Sequence, residues 1–165
     1  MLERTGVPTE AQLVEVAPSG ARLAKGPVAV IECFQRIPCD PCAWACSTGA
    51  IAPFADINDL PALDAEACTG CGACIAACPG LAIFVVDVSR PGDTGVVRVP
   101  YEFLPVPAAG EEVAALDREG RVVGRAKVQR VQAGAAQDRT LVVWLEVPKP
   151  LAMRVRGLKA GERHG

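Results

Sequence analysis

The chain has 165 residues, with 17 Lys and Arg against 19 Asp and Glu for a formal net charge of −2, and 50% of its residues are hydrophobic. This composition predicts a globular protein of one or two small domains. The single histidine, His164, argues against a Ser-His-Asp triad, a Cys-His pair or a multi-histidine metal site. The sequence contains no G-x-G-x-x-G and no phosphate-loop motif, so we predict no standard nucleotide site.

The N-terminal stretch carries charges and a proline where a signal peptide needs an unbroken apolar run. We therefore expect a cytoplasmic, reducing location. An uncharged run of 20 residues spans 67–86, a length that reaches across a bilayer in principle. Because it contains four cysteines, a proline and three glycines, we predict no integral membrane segment.

In chain order, the sequence predicts a lead-in over 1–27, a cysteine-rich domain over 28–90 and a small β domain over 91–165. Val28–Ile31 reads as a short strand that enters the cysteine block, and the turn cluster at 89–93 marks the boundary. Four further strands are expected at 96–103, 112–116, 121–131 and 140–147, and 151–159 as a short helix or strand. We thus predict an α+β protein whose last part is a short-stranded sheet or partial barrel.

All eight cysteines lie between Cys33 and Cys78, and this block contains an internal repeat. At an offset of 32 residues, Cys39, Cys42 and Cys46 align with Cys71, Cys74 and Cys78. The repeat breaks at the first cysteine, because Cys68 aligns with an arginine and the first copy has Cys33 three residues earlier. The first loop is therefore longer than the second.

The second copy, residues 68–79, reads C-x2-C-x2-C-x3-C-P, the iron–sulfur run of bacterial proteins. Two-residue spacers place three thiolates around one cube of iron and sulfur, while the fourth cysteine lies too far round and serves the other cluster. Gly70 and Gly72 allow the loop unusual dihedral angles and free amides that point at sulfur. We expect Trp44 to shield a cluster from water.

Exchange of the fourth ligands between the two copies predicts two four-cysteine sites. Cysteine set 1 contains Cys33, Cys39, Cys42 and Cys78, and cysteine set 2 contains Cys46, Cys68, Cys71 and Cys74. Each set is predicted to hold one 4Fe–4S cluster. Ser47 replaces the proline expected after Cys46, and the longer first loop is a second departure from the usual spacing.

Two other uses of eight cysteines compete with this interpretation. Zinc sites use four cysteines but favour pairs of C-x2-C separated by a longer insert, which this spacing does not resemble. Four disulfides need an oxidising compartment, which the N-terminal sequence does not predict. A catalytic thiol or a single C-x-x-C redox pair leaves most of the cysteines unexplained.

Charge divides along the predicted boundary, with a net charge of −6 over 1–95 and +4 over 96–165. Such opposite charges orient one part on the other or on a partner surface. The basic residues Arg121, Arg125, Lys127 and Arg130 alternate with apolar ones, as on the solvent face of a strand. We therefore predict no nucleic-acid binding and interpret the β domain as a docking element.

Over roughly 28–88 the chain resembles the bacterial two-cluster ferredoxins. The phrases VIECFQRIPCDPC at 30–42, CPGLAIF at 78–84 and VPYEFLP at 99–105 resemble ferredoxin-type subunits of flavin-dependent amino-acid and imino-acid dehydrogenases of the proline, hydroxyproline and opine type. The resemblance implies a chain that is not itself an enzyme. It would carry electrons between FAD or FMN in a partner dehydrogenase subunit and another flavin or an external acceptor, within a hetero-oligomer.

Two alternative functions remain open from the sequence. A free-standing ferredoxin-type shuttle uses the same clusters without a permanent partner. A zinc-bound, non-redox interaction module uses the cysteines for structure and the β domain for binding. The sequence does not identify the substrate, the donor, the acceptor or the stoichiometry.

Overall fold

The computed structural model describes residues 2–161 and has the predicted α+β composition. Its helices are α1 (Leu2–Thr5), α2 (Glu10–Val16), α3 (Gly20–Lys25), α4 (Pro41–Ala45) and α5 (Ala73–Ala77). Its strands are β1 (Val28–Ile31), β2 (Ile83–Asp87), β3 (Thr94–Tyr101), β4 (Glu112–Leu116), β5 (Val122–Gln132), β6 (Leu141–Pro148) and β7 (Gly157–Lys159). Single 3-10 turns lie at Ala135–Gln137 and Lys149–Leu151.

Three short helices form the segment that the sequence predicted only as a lead-in. Thr9 caps α2 in a capping box, because its hydroxyl accepts from the Gln12 amide while the Gln12 side chain accepts from the Thr9 amide. Ser19 caps α3 by accepting from the Arg22 amide. The predicted turn at 18–20 is therefore the start of a helix.

The strands form one seven-stranded antiparallel sheet in the order β1-β2-β3-β6-β5-β4-β7. The strand predicted at 28–31 is confirmed, and the four predicted after residue 90 are confirmed with their ends within two residues. The segment 151–159 ends in β7, which lies against β3, so the sheet curls around its core.

The sheet continues through the boundary that was predicted at residue 90. Strand β2 pairs with β3 through Asp87 and Val96, so the turn cluster at 89–93 connects two neighbouring strands. One hydrophobic cluster contains Val30 and Phe84 together with Val128 and Leu145. The division at residue 90 stays a prediction, but both parts contribute to one sheet and one core.

The two faces of the sheet have different roles. Along β2, Phe84 and Val86 point into the core that the curled sheet encloses, whereas Ile83 and Val85 point to the opposite face. On that opposite face the cysteine-rich segment packs, with Ile75 of α5 fully buried. The cysteine loops are thus supported by strands from both halves of the chain.

Candidate metal centre

The two cysteine motifs have the same local structure at the offset of 32 residues that separates Pro41 from Ala73. Helices α4 and α5 each contain five residues, and each ends at the fourth cysteine of its motif. The Cys46 amide donates to the carbonyl of Ala43, as the Cys78 amide does to that of Ile75. Each fourth cysteine is therefore held at the C-terminus of a short helix.

Short antiparallel pairs join the two motifs in a matching way. Ile31 pairs with Ile83 in the sheet, and Ile51 forms an isolated bridge with Leu63. Adding the offset to the first partner of one pair gives a partner of the other. The two halves of the cysteine-rich segment are thus related by an approximate two-fold arrangement, which brings each fourth cysteine to the opposite motif.

Cysteine set 1 is brought together beside β1. Burial raises the pKa of Cys33, and the neighbouring thiols of Cys78 and Cys39 raise it further. Burial likewise raises the pKa of Cys42 to about 11, with contributions from the same neighbours. Cys78, from the second motif, is thus an electrostatic neighbour of the first three cysteines.

Cysteine set 2 surrounds one cavity beneath the second loop. All four of its members line this cavity, together with Ala29, Ile51, Leu63 and both loop glycines. Burial raises the pKa of Cys74 to about 12, and Cys68, Cys71 and Cys46 raise it in the same direction. Cys46, from the first motif, therefore shares a cavity with three cysteines of the second.

Backbone amides point at several of these sulfur atoms. The Sγ of Cys68 accepts from the amides of Ala29 and Gly70 at 3.4 Å each. The Sγ of Cys46 accepts from the Ile51 amide at 3.4 Å, and that of Cys78 from the Ala82 amide at 3.4 Å. Such donors stabilise thiolate and metal-bound sulfur, so both sets have the chemistry that an iron–sulfur cluster requires.

Cys46 differs from the other cysteines in its acidity. Burial raises its pKa, but hydrogen bonds from Ile51, Thr48 and Ala50 outweigh this and lower the pKa below the ordinary value. Cys46 is consequently prepared as a thiolate ligand before any metal binds. The structure contains eight free cysteines and no disulfide among them.

The loop before α5 depends on its two glycines, as predicted. Gly70 and Gly72 adopt φ values of +66° and +84°, a region that favours glycine. A Cβ atom on Gly70 would lie 2.6 Å from backbone and side-chain atoms of Pro27. The chain therefore passes close to Pro27 at this point, and only glycine fits.

Trp44 does not shield a cluster, so that prediction is wrong. Its side chain is 85% exposed, and its indole N–H donates to the Asp40 carboxylate at 3.0 Å. Cys42 faces inward from the same helix, and two residues of α-helix rotate the chain by about 200°. Trp44 is therefore directed to the opposite side, into solvent.

Two buried arginines hold the second loop, and the sequence analysis did not identify either. Arg22 donates to the carbonyl of Cys68, and Arg98 donates to the carbonyls of Gly70 and Cys71. A charged residue is expected at the surface, so only the tertiary structure reveals these contacts. The capping serine before Arg22 was the one local signal that a helix positions it.

A third buried charge cluster lies next to the first motif. Glu32 precedes Cys33 and accepts hydrogen bonds from Arg118 at 2.6 and 2.8 Å and from Arg156 at 2.7 Å. Arg118 follows β4 and Arg156 precedes β7, so this network connects the end of β1 to the C-terminal half.

Within residues 2–161, no group of three or more His, Cys, Asp or Glu side chains is arranged to hold a single metal ion. In the same range no helix has the length and apolarity that crossing a membrane requires. The run at 67–86 contains a five-residue helix and a strand instead. The predictions that concern His164 lie outside the described residues.

Comparison with known proteins gives one match. Residues 35–96 match the family described as the 4Fe-4S dicluster domain. No curated protein and no solved structure matches the chain. The match begins two residues after Cys33 and extends into β3. It supports a ferredoxin-type iron–sulfur domain in this chain and an iron–sulfur electron-transfer role.

Proposed function

We propose that this chain is an electron-transfer subunit that holds two 4Fe–4S clusters, one on each cysteine set. The observation that carries the proposal is the cavity that Cys46 shares with Cys68, Cys71 and Cys74. Because Cys46 comes from the other motif, this cavity supports the crossed assignment of ligands. The electrostatic neighbours of Cys78 support the same assignment for set 1.

A bound cluster supplies a one-electron redox centre, and the protein supplies its surroundings. The thiols of both sets act as ligands once deprotonated, and the amides of Ala29, Gly70, Ile51 and Ala82 donate to them. Cys42 and Cys74 are buried, whereas Cys71 is exposed. Set 2 therefore offers electrons a short route to the protein surface.

We further propose that the electron donor or acceptor is a flavin, FAD or FMN, in a partner dehydrogenase subunit. The resemblance of 30–42, 78–84 and 99–105 to subunits of flavin-dependent amino-acid and imino-acid dehydrogenases supports this. In the proposal this chain is not catalytic by itself. The basic residues over 96–165 supply a docking surface for the partner, and a reducing compartment such as the cytoplasm keeps the thiols available.

The first test is the content of iron, acid-labile sulfide and zinc in protein purified without oxygen. About eight iron and eight sulfide per chain are expected for two clusters. About four of each would refute the cluster on set 1 or set 2, and zinc without sulfide would refute the redox function. Copurification of larger flavin-containing chains supports the subunit role, whereas an isolated, iron-loaded monomer supports a shuttle.

The crossed assignment is tested by the variants Cys46→Ala and Cys78→Ala. Each is expected to lose about half of the iron. Cys46→Ala should lose the same cluster signal as Cys71→Ala, and Cys78→Ala the same signal as Cys39→Ala. If Cys46→Ala instead matched Cys39→Ala, each motif would ligate its own cluster and the crossed assignment would be wrong.

A further inference from the structure

We infer that Arg22 and Arg98 give the cluster on set 2 the higher reduction potential, so that the first electron to enter the protein resides there. This inference rests on the proposed function, because it concerns the potentials of the proposed clusters. It is carried by two guanidinium groups that are buried, bonded to the backbone of the set 2 loop and free of any bound carboxylate.

Arg22 is 6% exposed and reaches the loop from α3. Its guanidinium donates to the carbonyls of Ala65 at 2.5 Å, Gly26 at 3.0 Å and Pro27 at 2.9 Å, and to that of Cys68 at 2.7 Å. All four acceptors are neutral backbone groups. Arg22 therefore brings a full positive charge to the first cysteine of the loop without a counter-ion.

Arg98 is 9% exposed and approaches the same loop from β3. Its Nη1 donates to the carbonyl of Gly70 at 2.7 Å and to that of Cys71 at 3.2 Å. Its Nε is buried and has no hydrogen-bond partner among the described residues. The guanidinium carbon lies 3.7 Å from the ring centroid of Trp144, whose face favours the cation.

The carboxylate that most affects Arg98 is bound elsewhere. Asp87 accepts from the hydroxyl of Ser89 at 2.7 Å and forms an ion pair with Arg90 at 3.3 Å. Burial lowers the pKa of Arg98, and Asp87 and Cys71 offset this only in part. Within residues 2–161, no carboxylate forms an ion pair with Arg22 or Arg98 in the structure.

Buried cations without counter-ions are costly, and a negative group nearby offsets that cost. A 4Fe–4S group with four thiolates carries a charge of about −2 when oxidised and one more negative charge when reduced. Two fixed positive charges therefore stabilise the reduced form more than the oxidised form. Because both arginines remain charged, one electron from a reduced flavin, or from dithionite in a titration, enters without a proton.

Set 1 has a different electrostatic environment. The buried arginines on its side, Arg118 and Arg156, share the carboxylate of Glu32, which neutralises part of their charge. Asp40 adds a negative charge next to Cys39, whose pKa is raised by burial, by Cys78 and by Asp40. These contacts lower the potential of set 1 relative to that of set 2.

The test is a redox titration of the iron-loaded protein, followed by electron paramagnetic resonance. The signal that Cys46→Ala abolishes identifies the cluster of set 2, and in the wild-type protein it should appear first on reduction. In Arg98→Gln, the ratio of reduced to oxidised set 2 cluster at the wild-type midpoint should fall about tenfold, equivalent to about 59 mV for one electron. Arg22→Gln should act in the same direction.

Arg130→Gln is the matched control, because Arg130 is exposed and faces the same indole ring at 5.6 Å. It should leave both midpoints unchanged. A first signal that survives in Cys46→Ala, or a shift in Arg98→Gln no larger than the control, would overturn the inference.

Arg98→Lys separates charge from loop structure. It keeps the charge without the planar guanidinium, so it should retain a midpoint close to that of the wild type. If Arg98→Gln fails to retain iron, this variant decides: a tenfold fall in Arg98→Lys would contradict the inference. Absence of iron and sulfide from the wild-type protein refutes the proposed function instead, which is a separate result.

Discussion

Glu32→Gln removes the negative charge from the most buried ion-pair network in the described structure. The Glu32 side chain is 7% exposed, and those of Arg118 and Arg156 are 15% and 3% exposed. Three hydrogen bonds of 2.6, 2.7 and 2.8 Å join them. Removal of one partner from a buried ion pair costs about 3–5 kcal/mol, because the other charge is left without compensation. We expect a loss of that size in the free energy of unfolding.

Thermal unfolding of the iron-loaded protein, measured without oxygen at one scan rate, provides the assay. For a chain of this size 1 kcal/mol corresponds to about 2–4 °C, so Glu32→Gln should lower the Tm by about 6–20 °C. The matched control is Glu112→Gln, which removes the same charge from an arginine pair at the surface. Exposed pairs contribute about 0.2–1 kcal/mol, so the control should shift the Tm by at most about 4 °C.

The same network predicts a pH dependence. Burial raises the pKa of Glu32, but hydrogen bonds and charge from Arg118 and Arg156 outweigh it and hold the pKa below its ordinary value of 4.5. A carboxylate with a lowered pKa stabilises the fold above the unfolded pKa, and this contribution is lost as pH falls through the folded value. The difference between wild type and Glu32→Gln should therefore shrink in that acid range. Equal Tm losses in Glu32→Gln and the control, or a difference that does not change in acid, would refute the reasoning.

Two further predictions concern the cysteine loops. Gly70→Ala should lose about half of the iron, because its Cβ would lie 2.6 Å from Pro27 and its φ is +66°; Gly92→Ala, with φ +93° and open space, should keep all of it. Equal iron in the two variants would contradict this. Since Cys42 and Cys74 have pKa values of about 11 and 12 before metal binds, cluster assembly must release their protons. Reconstitution should consequently become more favourable from about pH 7 to about pH 9, and an iron titration that shows no pH dependence would refute this.

The cysteine chemistry and the strands were predictable because both are local patterns. The spacing of the second motif states how many thiolates fit one loop, and alternation of apolar and polar residues indicates a strand. The hairpin between β4 and β5 was visible in the Asp117–Gly120 turn, where the Gly120 amide donates to the Asp117 carbonyl. Arg121 and Arg125 are exposed, as the strand pattern predicted.

The features that the sequence analysis missed depend on contacts between distant segments or on very short elements. Helices α1 to α3 contain four to seven residues, too few for a clear 3.6-residue period, although the Thr9 and Gln12 pair was an available capping signal. The burial of Arg22 and Arg98 is set by carbonyl groups 43 or 46 and 27 or 28 residues away in the chain. No local pattern contains that information.

The C-terminal half bears directly on the cysteine chemistry, whatever partner it binds. Helix α5 lies against β2, β3 and β6, so strands from beyond residue 90 support the helix that carries Cys74. β3 supplies Arg98, and β6 supplies Trp144, which packs on that arginine. Without this support, water would reach the backbone of the set 2 loop and screen its charges. The strands after residue 90 therefore form part of the redox site's environment, and a docking role would add to this structural role.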